Sequence, residues 1–233
     1  MRILLGSRTA KLSFVLFCDP ITQRVDDLAS GAIACTLTPF DETGGVMGNS
    51  ITDQVRRLVR VEGVIGIAVN MVTRERLTLT PEERLEVIHC TRKGLEDDQI
   101  LISCVGEISD RIISDVTACK AAGADAIVAF QAKWQIGSEG QTLNARLDAL
   151  TDLEDTMSLP VIVIPGHSVA HRTVSSEAAL FHNLNSGGNV ASASLACIAP
   201  HEVASLYAAS RKGQTHNVRA LQHRLPPLIH FLS

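Results

Sequence analysis

Six short apolar runs, each followed by a turn signal and a helix-like stretch, constrain the fold of this chain more than any other feature. The runs are Ala32–Thr38, Val64–Val69, Ile100–Val105, Ala126–Phe130, Val161–Ile164 and Val190–Ser194, and their starts lie 26 to 36 residues apart. That spacing leaves room for a helix in every connection, which parallel strands require and hairpins do not. The connections carry helix signals of their own. Ile51, Val55, Leu58 and Val59 fall on one helical face, and Thr80-Pro81-Glu82-Glu83 reads as a capping box with proline at the first helical position. Ser109 is placed to cap a helix with Ile112, Ile113, Val116 and Cys119 as its apolar face and Gly123 as its stop, and Val203, Leu206 and Tyr207 repeat the pattern before Gly213. Apolar strands alternating with helices predict an α/β fold with a parallel sheet, either doubly wound or closed into a barrel. No G-x-G-x-x-G follows a strand and no G-x-x-x-x-G-K-[ST] occurs. The nucleotide-binding form of the doubly wound sheet would lack its phosphate cradle, so the barrel is favoured.

Composition narrows the function classes. Hydrophobic residues make up 45% of the 233, enough for a sizeable core, and the bulk is the aliphatic filling of a sheet buried on both faces. A net charge of −4 offers no basic field to a nucleic-acid backbone, and 3% aromatics offer few stacking platforms. No apolar run approaches the ~20 residues of a membrane span. The six cysteines contain no C-x-x-C pair and read as small buried hydrophobes of a reducing compartment, with a cytoplasmic location as the expectation. Residues 1–30 stand apart from the barrel expected over 31–233. Arg2, Arg8 and Lys11 precede the first acidic residue, Asp19, and Leu12–Cys18 is a short apolar run. This is an N-terminal extension or a targeting segment, including the organellar transit type.

Several stretches, in chain order, resemble the dihydrodipicolinate synthase/N-acetylneuraminate lyase family. Gly31–Phe40 followed by Asp41–Gly45 is similar to its opening strand and loop, and Gly63–Asn70 to its second strand. Leu79-Thr80-Pro81-Glu82-Glu83-Arg84 is similar to the helix start that follows, Ala121-Ala122-Gly123-Ala124-Asp125-Ala126 to the approach to its fourth strand, and Leu159-Pro160-Val161-Ile162 to its fifth. Gly187-Gly188-Asn189-Val190 and Ala199-Pro200-His201-Glu202 resemble the last strand and helix. The resemblance implies an eight-stranded (β/α) barrel. It also implies class I aldolase or lyase chemistry on pyruvate-like 2-keto acids, with no metal or other cofactor. In that chemistry a partly neutral lysine condenses with the keto group, and the iminium is an electron sink while a carbon–carbon bond forms or breaks. A tyrosine shuttles protons, and hydroxyl and backbone N–H groups hold the carboxylate.

The chain departs from the family at each of these groups. The Gly-Thr-Thr-Gly-Glu carboxylate loop corresponds to Met71-Val72-Thr73-Arg74-Glu75, which keeps Thr73 and Glu75 but neither glycine. The tyrosine motif after the fourth strand corresponds to Ala132-Lys133-Trp134. The Schiff-base lysine belongs on the sixth strand. Here the segment Ser176–Asn183, expected as a helix, runs straight into Gly187-Gly188, and none of the five lysines (Lys11, Lys93, Lys120, Lys133, Lys212) matches. Six runs occupy a chain whose closed counterpart has eight strands in about 250 residues. The expectation is therefore an incomplete TIM-type barrel, six of eight strands, that has lost an internal block with its nucleophile. Its exposed edges would be covered in a homo-oligomer or by an intact family member.

The remaining candidates follow from position. Lys133, just past the fourth run, is the one lysine at the catalytic end and a substitute nucleophile; its ordinary reading is an exposed loop lysine. Thr73, Arg74 and Ser192 are candidate contacts for a 2-keto acid. Glu75 is a site acid or a surface charge beside Arg74 and Arg76, and Ser194 accompanies Ser192 on the last run. His167 and His171 have ligand spacing for a helix face but follow Pro165-Gly166, which favours a loop, and no third ligand is evident. Ser168 lacks the G-x-S-x-G elbow of a hydrolase. Two function classes remain: an active lyase with a relocated site, and a catalytically silent homologue.

Overall fold

The computed structural model describes residues 31–71, 74–107, 111–130, 159, 161–164 and 191–225. The strands are β1 (Ala32–Cys35), β2 (Val64–Val69), β3 (Ile100–Glu107), β4 (Ala126–Phe130), β5 (Val161–Ile164) and β6 (Ala191–Ala193). Between and after them run α1 (Gly48–Val59), α2 (Arg74–Thr78), α3 (Pro81–Arg92), α4 (Ile112–Ala121), α5 (Pro200–Arg211) and α6 (Thr215–Arg224). The first five strands begin where the apolar runs begin. The expected capping box is formed: the Thr80 hydroxyl accepts from the Glu83 amide at 3.2 Å, and Glu83 Oε2 accepts from the Thr80 amide at 2.7 Å.

The strands form one sheet in the order β5-β4-β3-β2-β1-β6, with all pairings parallel. The final strand thus lies beside β1, the place the last strand takes when a barrel closes. Among the described residues, however, β5 and β6 do not pair with each other; they are the two edges. The described residues thus supply six parallel strands of an α/β barrel of the kind that closes with eight.

Two apolar layers sandwich the sheet. Ala32, Ala34, Ile67, Val69, Leu101, Val105, Ile127 and Ala129 pack outward against Ile51, Val55, Leu58, Val87, Ile88, Val116, Val203 and Leu206 of the helices. Ile33, Cys35, Ala68, Ile102, Cys104, Ala126 and Val128 form the inner lining. Both layers are buried over the first four strands, so β1, β2 and β4 read as continuous apolar runs.

Four local expectations are corrected. β1 stops at Cys35 rather than Thr38: the Thr36 amide still reaches the Ala68 carbonyl, but the chain then folds into a small hairpin, Phe40 opposite Val46, around Asp41. β3 runs past Val105 to Glu107 through a bulge between Cys104 and Gly106. Ser194 begins a single 3₁₀ turn, Ser194–Cys197, and β6 begins at Ala191. On α4, Ile112, Val116 and Cys119 do face the core, but Ile113 is 56% exposed. The reason is helical geometry: Ile113 shares a solvent stripe with Thr117 and Lys120, one residue round from the buried one. Arg111 occupies the N-cap of α4 without a side-chain bond, and Ser109 lies outside the described residues.

At the amino ends of the strands the layers are locked by one side chain. Arg92, in the last turn of α3, donates to the Gly123 carbonyl at 3.0 Å and pairs with Asp125 Oδ2, which also accepts from the Leu101 amide at 2.9 Å. Gly123 has φ +109, and a Cβ there would lie 3.2 Å from Arg92 Cγ, so both backbone sign and space call for glycine. The Ala-Ala-Gly-Ala-Asp-Ala stretch is thereby explained. It ends α4 and supplies the anion that ties α3 to β3 and β4.

Candidate functional site

In βα units the helices return antiparallel to the strands, so helix C-termini lie at the amino end of the sheet and helix N-termini at the carboxyl end. The Arg92 contacts show this directly. The described lysines all sit at the amino end: Lys93 is the C-cap of α3, Lys120 lies in the last turn of α4, and Lys212 is the C-cap of α5. None can reach the opposite mouth, where parallel barrels carry their chemistry. Lys11 and Lys133 lie outside the described residues. Tyr207, the single tyrosine, is 3% exposed on α5 and belongs to the outer layer between helix and sheet. Burial pushes its phenol above the ordinary range. It does not border the mouth.

Of the residues expected to touch substrate, Thr73 lies outside the described residues. Arg74 opens α2 and Ser192 is the middle residue of β6, in register with the inner-lining Ile33; their side chains are not described. His167, Ser168 and His171 also fall outside. Among the described residues no group of three or more His, Cys, Asp and Glu side chains could hold a metal.

The mouth has other features. The hairpin after β1 is built on Asp41, whose Oδ1 accepts from the Thr43 hydroxyl at 2.7 Å and from the amides of Thr43 and Gly45. Those bonds, the hydroxyl's first, hold its carboxyl below the usual aspartate value. At the end of β2, Asn70 takes the left-handed conformation, φ 55, which asparagine tolerates better than most residues. Its Nδ2 donates to the Arg84 carbonyl at 3.1 Å and the Ser103 hydroxyl at 3.3 Å, tying β2 to α3 and β3.

Sequence reasoning missed Arg76. From α2 its guanidinium reaches the end of β3, where Nη2 donates to the Val105 carbonyl at 2.6 Å and Nε to the Cys104 carbonyl at 3.5 Å. It lies directly over Gly106, φ +89: a Cβ there would fall 2.4 Å from Nη2. The charge also stands beside the inner-lining Cys104 thiol, although burial dominates and pushes that thiol up to about 11. The signal in the sequence was present but ambiguous, since Arg76 reads as one of three charges in Arg74-Glu75-Arg76. The large hydrophobics exposed among the described residues, Leu37, Phe40, Met47, Leu77, Ile113 and Ile198, all belong to the segments that follow strands. A cleft of about 460 Å³ between α5 and α6, which includes Lys212, Asn217 and Arg224, lies on the outer helices instead.

No protein-family model matches the chain. A 4-hydroxy-tetrahydrodipicolinate synthase of Bartonella bacilliformis is 23% identical over 245 residues, covering 86% of this chain and 82% of that protein. Among solved structures, dihydrodipicolinate synthase of Aquifex aeolicus superposes with a TM-score of 0.71 at 18% identity, covering 87% of this chain and 82% of that one. N-acetylneuraminate lyase of Fusobacterium nucleatum does so with 0.69 at 15%, covering 87% and 83%. The structures share the fold, the sequence match covers a similar share of the chain, and the described strands stand in the order expected of such a barrel. The chain has the fold of these dihydrodipicolinate synthase and N-acetylneuraminate lyase structures and is similar in sequence to a 4-hydroxy-tetrahydrodipicolinate synthase over most of its length.

Proposed function

We propose that this chain is a catalytically silent member of the dihydrodipicolinate synthase/N-acetylneuraminate lyase family, a protein that does not condense with 2-keto acids and retains at most the capacity to bind one at its mouth. One observation carries the reading: β6 takes the last-strand place beside β1, and the sequence from β5 to β6, residues 161–193, contains no lysine. Whatever conformation that connection adopts, it holds no amine for an iminium, and no other side chain supplies that electron sink. The described lysines, at the amino ends of the strands, offer no replacement. In this reading Thr73, Arg74 and Ser192 are remnants of a substrate site, and the edges that β5 and β6 form among the described residues are covered by a second copy or an intact family member.

The competing reading is an active lyase in which Lys133, three residues beyond the end of β4, has become the nucleophile. The two separate in one experiment. The purified chain is incubated with pyruvate and borohydride and weighed intact, beside an intact family member. An unchanged mass, with the control modified, is the expected result. A stoichiometric adduct that disappears in Lys133→Ala would overturn the silent reading and establish the relocated site.

A further inference from the structure

We draw no further inference here: the strongest candidate, the surface cleft between α5 and α6 that Lys212, Asn217 and Arg224 border with exposed side chains, carries nothing because nothing in the structure shows what covers it.

Discussion

Replacing Arg92 by alanine is expected to destabilise the chain by about 2–3 kcal/mol, a large share of the roughly 5–15 kcal/mol that holds a typical domain folded. The substitution removes the pair with Asp125 and the bonds to the Gly123 and Gln99 carbonyls, at 3.0 and 3.4 Å. The pair is neither at the surface nor fully enclosed: the two side chains are 29% and 27% exposed. Exposed pairs are worth about 0–1 kcal/mol, and breaking a buried one costs about 3–5, so about 2 is the middle ground. The Gly123 bond adds about 1 kcal/mol, and the Gln99 contact little at its length. Asp125 does not lose everything, because the Leu101 amide still donates to it. Urea unfolding of wild type, Arg92→Ala, Asp125→Ala and the double variant closes a cycle, whose coupling is expected at about 1–2 kcal/mol and to survive added salt better than a surface pair. A single-variant loss under about 0.5 kcal/mol, or a coupling indistinguishable from zero, would show that the α3 lock is decoration and that the sheet is held by packing alone.

Two other predictions test the ends of the sheet. The Asp41 carboxyl, lowered by the Thr43 hydroxyl and the hairpin amides, contributes to loop order above the ordinary aspartate value of 3.8. That contribution is lost only as pH falls through the lower folded value. NMR titration is expected to show Asp41 and the Thr43 amide moving together at a pH below that of a free aspartate, and Asp41→Asn to abolish the transition; an unshifted midpoint would contradict the hairpin geometry. Cys104 and Cys119, buried and with thiols pushed up, are expected to resist iodoacetamide near pH 8 in the native chain and to react once urea unfolds it. Peptide mapping that finds them alkylated at the rate of half-buried Cys90 would refute the two-layer packing.

The sequence alone determined the elements, because the forces that make them are local. Apolar runs at 26- to 36-residue intervals, the Thr80–Glu83 box and Gly123 act within a few residues of each other, and the observed strands and helices begin and end near where those signals lie. It also determined that residues 161–193 hold no lysine, in whatever conformation they take. What the sequence did not disclose was which side of each strand faces inward. A sheet buried on both faces has no polar alternation to read, and Ile33 and Ala34 look equivalent until one packs in the lining and the other against helices. The pairing of β6 with β1, the meeting of Arg92 and Asp125 across 33 residues, and the seating of Arg76 over Gly106 are likewise decisions of tertiary structure. Each joins groups distant along the chain, and only the closing curvature of the sheet brings them within hydrogen-bonding range. One arginine of a charged cluster thereby becomes part of the mouth, and one aspartate after a glycine becomes the anchor of the opposite end.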